Sequence, residues 1–186
     1  TNYITVNTLA PCVTGTIWSE SFATYSNFAN SGSGSSATVG TWTSEFEGPD
    51  DGVYVSTPSN HLRFEDADGG GNDDFNLTLN VAGIPNVIIS IPYGSNGVET
   101  GDQLVFSYSV DGGAFVPFLT ETGTGSGTAT TPALNGTTIV INIDANVGNE
   151  GDMGEGSHGT ATLSIIGGFQ EGEMIGPAFG STYILA

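Results

Sequence analysis

The sequence predicts an all-β protein, a two-sheet antiparallel β-sandwich of jelly-roll type, and three observations carry that prediction. Helix-forming residues are scarce: Lys and Arg together number 1, there are 2 Met, and charged residues make up only 11% of 186 residues. Turn formers are abundant, with 29 Gly and 8 Pro. No stretch carries the apolar stripe of an amphipathic helix, whereas runs alternating between apolar and polar residues recur, and a period of two belongs to strands. A chain of this length can bury one full core.

The elements follow in order. The opening Thr1-Asn2-Tyr3-Ile4-Thr5-Val6 reads as a strand. In Thr16-Ile17-Trp18-Ser19-Glu20-Ser21-Phe22, Ile17 and Trp18 fall on opposite faces, with Trp18 expected in the core. Residues 30–36 read as a flexible Gly/Ser loop, and 37–46 as a strand carrying Trp42 and Phe46. Short strands at 52–56 and 61–65 flank Pro58. In 75–81 every odd position is apolar, and 86–91 is a nearly continuous apolar run suited to burial on both faces. In 104–110 the even positions point inward. Asp111-Gly112-Gly113 then turns the chain into a strand at 114–119, because glycine supplies positive φ. Residues 137–143 alternate through Ile139, Ile141 and Ile143, and strands at 160–166 and 181–185 complete the set. About ten short strands joined by Gly-rich turns make a two-sheet sandwich.

The formal net charge of −19 reflects missing bases more than an excess of the 20 acids. Arg63 and the two histidines can neutralise few of them, so the carboxylates must be solvated, hydrogen-bonded or bound to cations. Nucleic acid is excluded as a partner, since no basic stripe exists to neutralise phosphates. Anionic lipids and anionic glycans are disfavoured unless calcium bridges them. No transmembrane run is present, so no membrane insertion is expected. Cys12 is the only cysteine, which excludes an internal disulfide and leaves divalent cations to fasten the loops. The chain opens on Thr1 without Met and without a signal peptide; it is expected to be a segment of a larger, secreted multidomain protein.

The most specific chemical segment is Glu65-Asp66-Ala67-Asp68-Gly69-Gly70-Gly71-Asn72-Asp73-Asp74-Phe75. Calcium takes six to eight oxygen ligands, and a glycine-rich loop with alternating acids can wrap one at low strain. Asp66, Asp68, Asn72, Asp73 and Asp74 are the candidate ligands. The spacing is not that of an EF-hand, because neither the glycine nor the closing glutamate falls correctly. A solvated acidic turn is the plain alternative. A second loop offers Asp144, Asn146, Glu150 and Asp152 in the same way. The run Glu47-Gly48-Pro49-Asp50-Asp51-Gly52 is already a satisfactory turn and argues less for metal.

Catalysis has little to build on. Two histidines do not make a zinc constellation, and no H-E-x-x-H is present. Ser19 and Ser157 lack a nucleophile-elbow context. With so many acids some pair always suggests a glycosidase, and spacing in sequence cannot show two carboxylates facing each other across a cleft. No enzyme activity is expected. Sugar binding would use aromatic faces stacked on pyranose rings. Trp42, Tyr54 and Tyr93 are the candidates, with Tyr25 behind them; Trp42 could equally point into the core, while Tyr93 sits in a turn-like Pro-Tyr-Gly-Ser-Asn-Gly run.

Two resemblances extend this reading. Thr1-Asn2-Tyr3-Ile4-Thr5-Val6 is similar to the closing strand of PKD-like repeats, which implies that residues 1–12 end such a repeat or form a linker and that 13–186 is the binding module. The other reading is that residues 3–7 are the first strand of this domain. The order of Leu62-Arg63-Phe64, Val87-Ile88-Ile89-Ser90-Ile91 and the run from Gly101 to Phe115 (G-D-Q-L-V-F-S-Y-S-V-D-G-G-A-F) resembles jelly-roll modules of secreted bacterial proteins, many of them carbohydrate-binding. There an E-S-F-like segment opens the domain, as at Glu20-Ser21-Phe22, so the resemblance implies a structural calcium ligand at Glu20. The 64–76 segment likewise resembles a calcium-associated F-E-D signature. The chain departs from the pattern at Thr182-Tyr183-Ile184-Leu185, where the resemblance supplies no closing ligand.

The leading expectation is therefore a calcium-dependent, non-catalytic carbohydrate-binding module that anchors a secreted or cell-surface bacterial protein to a glycan. The alternative is a ligand-binding domain of a large calcium-rigidified adhesin, with a protein, peptide or cell as its partner. A structural spacer is the third reading.

Overall fold

The computed structural model describes residues 4–9, 14–48, 51–65, 74–95, 103–146, 169–170 and 174–175. Among them there is no helix, and the chain is an antiparallel all-β sandwich. Residues Thr1–Gly148 and Asn149–Ala186 form two separate compact units. In the first unit the strands run β1 (Ile4–Leu9), β2 (Thr14–Glu20), β3 (Ser31–Gly32), β4 (Gly40–Ser44), β5 (Phe46–Gly48), β6 (Asp51–Ser56), β7 (His61–Glu65), β8 (Asp74–Asn80), β9 (Val87–Ser95), β10 (Gln103–Val110), β11 (Val116–Glu121), β12 (Gly125–Thr130) and β13 (Thr138–Asn146). In the second unit, β14 (Phe169–Gln170) pairs with β15 (Met174–Ile175). The strands expected at 160–166 and 181–185 lie outside the described residues.

One sheet has four strands in the order β12-β9-β1-β2, and the other six, β11-β10-β13-β8-β4-β3. The chain crosses between these sheets after β2, β8, β9, β11 and β12, the interleaved wiring that closes sandwiches of jelly-roll kind. A separate meander, β5-β6-β7, is tied in by an isolated bridge between Ala29 and Val55. β1 is hydrogen-bonded on both sides, to β2 and to β9. The segment that could be read as either a linker or a first strand is thus an interior strand of this sheet.

The core forms where the two alternations meet. Phe75, Leu77, Leu79 and Val81 are fully buried, as are Ile139 and Ile141 on the neighbouring strand, and Val6 and Trp18 face them from the other sheet. Strand β9 differs from expectation. Val87, Ile89 and Ile91 are buried, but Ile88 and Ser90 are half-buried, so one face of the strand carries the core rather than both.

The Ser/Gly stretch at 30–36 also departs from the flexible loop that its composition suggests. Its carbonyls and amides have partners: the Trp18 indole N–H donates to the Ser33 carbonyl at 2.8 Å, and the Ser35 N–H donates to the Ser19 carbonyl at 2.8 Å. Gly34 holds φ at 55°, and a β-carbon there would stand 2.6 Å from both the Ser19 carbonyl and the Trp18 ring. The glycine lets the loop lie flat over a buried tryptophan.

The turn at Asp111-Gly112 follows expectation. Both residues have positive φ, 51° and 75°, and the Gly113 N–H closes onto the Val110 carbonyl at 2.9 Å, as in a type I′ turn. The following strand begins at Val116, two residues later than the sequence pattern places it. The Asp111 carboxylate adds a link that the pattern does not show. Its Oδ1 accepts from the Thr137 hydroxyl (2.6 Å), the Thr137 N–H (2.8 Å) and the Thr138 N–H (2.9 Å). These bonds, the Thr137 hydroxyl first, hold the Asp111 carboxyl below the usual carboxylate range.

A depressed folded pKa means that the carboxylate stabilises the fold at neutral pH and loses that effect as pH falls through the depressed value. Asp111→Asn is expected to lower the melting temperature slightly at pH 7. The gap to the native sequence should close at strongly acid pH, which paired melting curves from neutral to acid pH would check. A gap that persists unchanged in acid would contradict this role.

Candidate functional site

On β8 and β13 the inward positions are apolar, so residues 74, 76, 78 and 140, 142, 144 face the opposite surface of the six-stranded sheet. Register then sets their neighbours. Asn76 stands opposite Asn142 and also opposite Thr43 on β4, while Ser107 on β10 pairs with Asn142. The Asn142 amide donates to the Asn76 side-chain carbonyl at 3.2 Å. A row of Thr43, Asn76, Asn142 and Ser107 thus crosses four adjacent strands, all neutral donors and acceptors: Thr43 is exposed, the two asparagines are half-buried and Ser107 is buried.

One step along the strands, Asp74 on β8 stands directly opposite Asp144 on β13. Opposed residues on adjacent strands have β-carbons roughly 5 Å apart, so like charges there repel. Burial first, and the neighbouring Asp74 charge second, push the Asp144 carboxyl above its usual range. Glu45 lies beside this pair, its N–H donating to the Asp74 carbonyl at 3.1 Å. The register brings the two acidic segments of the sequence to one end of one sheet, since Asp74 closes the first and Asp144 opens the second. Asn146 ends β13 opposite Gln103. Asp66, Asp68, Asn72, Asp73, Glu150 and Asp152 lie outside the described residues. Among the described residues, no three His, Cys, Asp or Glu side chains converge as a metal group.

The aromatic candidates are placed differently. Trp42 is 1% exposed and Tyr54 2%, so neither ring offers a face to a sugar. Alternation explains Trp42: in β4, Gly40, Trp42 and Ser44 point inward and Thr41 and Thr43 outward. Tyr54 is closed in by Phe28 and Phe46, with ring centroids 5.0 and 5.6 Å away. Tyr93 is half-buried on β9, opposite Gly127 of β12. Its hydroxyl donates to Glu121 Oε2 at 2.6 Å, and that bond, with smaller contributions from burial and the Glu121 charge, raises the phenol above its ordinary range.

Tyr25 and Glu20 belong to a buried polar hub. Glu20 is 3% exposed. Its Oε1 accepts from the Ser21 and Phe22 N–H groups, each at 2.8 Å, and its Oε2 accepts from the Tyr25 hydroxyl and the Trp42 indole N–H, again at 2.8 Å. The Tyr25 oxygen in turn accepts from the Ser33 and Gly34 N–H groups at 3.1 and 3.2 Å. The oxygens that the jelly-roll resemblance would give to a metal are taken here by protein donors.

The sequence pattern does not mark Asn76 and Asn142 as partners. The signal was available in the polar positions of two alternating strands, but it needed their pairing, which alternation alone does not give. Among the described residues, no helix is long and apolar enough to cross a membrane. No family model, no curated protein and no solved structure matches this chain.

Proposed function

We propose that this chain is a calcium-dependent, non-catalytic carbohydrate-binding module of a larger secreted or cell-surface bacterial protein. The observation that carries the reading is the opposed Asp74–Asp144 pair on β8 and β13, one step along these strands from a row of Thr, Asn and Ser side chains. Two carboxylates held against each other at the point where both acidic segments meet the sheet favour a divalent cation between them. Calcium there would offset the repulsion between the two carboxylates and tie together the acidic segments they belong to. The neighbouring amides and hydroxyls suit neutral sugar hydroxyls, which need paired donors and acceptors and no positive charge. The sugar surface is thus assigned to this polar face in place of Trp42 and Tyr54.

The test is affinity electrophoresis through gels containing neutral polysaccharides, with calcium or with EDTA. The native chain is expected to be retarded by at least one neutral polysaccharide in calcium. Asn76→Ala and Asn142→Ala should each weaken that retardation about tenfold, the loss of roughly one well-made hydrogen bond to the ligand. Their melting temperatures should stay near native. Retardation that ignores both substitutions, or none on any neutral polysaccharide, would sink the assignment.

A further inference from the structure

Among the described residues, one end of the sandwich holds a cavity. It has a volume of about 250 Å³ and is walled by Ile4 and Tyr93 of the four-stranded sheet, Leu104, Phe106 and Ile143 of the six-stranded sheet, and Leu62 of the meander. For scale, an enclosed apolar void of roughly 150 Å³ takes up benzene, and this cavity, open to solvent on one side, has room for a larger ring. Rings and branched aliphatic chains make most of the wall, with His61 and Gly94 also lining it, and the Tyr93 and Phe106 ring centroids lie 5.3 Å apart at 51°. Tyr93 brings no free hydroxyl to the space, because its O–H is committed to Glu121 at 2.6 Å. Recognition in the cavity therefore rests chiefly on shape and ring contact, with His61 as the polar side chain in reach.

Charge narrows the occupant further. The chain carries −19, and among the described residues His61 is the one basic side chain in the cavity wall. A carboxylate or phosphate entering this site would meet a repulsive field and little to neutralise it.

We propose that the cavity is a binding site for a small, uncharged ring compound about the size of indole. It is distinct from the polar sheet face and independent of calcium there.

Isothermal titration with indole, and with indole-3-acetate as the charged counterpart of the same ring, tests the proposal. The expected result is saturable binding of one indole per chain, with indole-3-acetate at least about tenfold weaker, a difference of the order that one repelled charge produces. Leu62→Trp, which fills the space from a half-buried wall position, is expected to abolish indole binding while leaving the melting temperature at or above native. Leu104→Trp fills it from the opposite wall and covers the case in which the first variant fails to fold. Absence of saturable binding, binding unchanged in a folded filled variant, or equal affinity for both probes would overturn the proposal.

Discussion

Glu20→Ala is expected to remove about 3–5 kcal/mol of stability, because the substitution leaves several inward-pointing donors without an acceptor at about 1–3 kcal/mol each, less where water can reach them. The Trp42 indole N–H and the Phe22 N–H are the least accessible of these, both belonging to buried residues. Phe22 adds to the loss. It holds φ at 56°, a left-handed conformation that costs a residue with a β-carbon about 1–2 kcal/mol, and its bond to Glu20 helps to offset that strain. The Tyr25 hydroxyl would lose its acceptor, which loosens one of the attachments of the 31–35 segment while its bonds to Trp18 and Ser19 remain.

A small domain has only about 5–15 kcal/mol in all, so Glu20→Ala should melt far below native or fail to fold. Glu20→Gln keeps the shape and one oxygen but sets an NH₂ group against donors. About 2 kcal/mol is expected for it, measurable by urea unfolding. A Gln variant as stable as the native chain would show that the hub is held by packing and not by these four bonds.

The second large effect is an inversion of sign at Asp144. Without a cation, its raised pKa means that the fold is favoured by protonation. The stabilising contribution is full below the unfolded pKa and lost as pH rises through the folded one. Asp144→Asn in EDTA at pH 7 is therefore expected to stabilise the fold by about 0.5 kcal/mol, small because the group is still largely in water and screened. In calcium the same variant should lose most of the metal's contribution. That contribution is about 2.7 kcal/mol for a site held at a hundred times its Kd. Melting curves of both proteins in both buffers check the inversion. A variant that behaves alike in EDTA and calcium would remove Asp144 from any cation site.

The fold was legible where side-chain period and turn chemistry agree. The β8 and β13 alternations, the apolar run of β9 and the Asp111-Gly112 turn each carry their own physical signal, and each stands near its expected place. Strand β12 was not legible. Gly125-Ser126-Gly127-Thr128-Ala129-Thr130 buries only Ala129 among its apolar positions, so nothing alternates. It is held as a strand by pairing with β9, where the Tyr93 ring lies beside Gly127. The two acidic segments were readable as chemistry but not as neighbours, since only the β8–β13 register sets Asp74 against Asp144. Trp42 and Tyr54 were misplaced as sugar platforms for a related reason: an aromatic in a short strand has two faces to choose from, and pairing with the rest of the sheet decides between them. Glu20 drew notice only through a resemblance, while its place in the core depends on donors up to 22 residues away in sequence.

The most direct test of a calcium-dependent module is thermal unfolding of the native chain in EDTA, in millimolar calcium and in millimolar magnesium. A rise of about 5–10 °C in calcium over EDTA is expected, from about 2.7 kcal/mol at 2–4 °C per kcal/mol, with little change in magnesium. Identical melting temperatures in all three buffers would contradict it, and would leave Asp74 and Asp144 as a repelling pair on the surface of a β-sandwich.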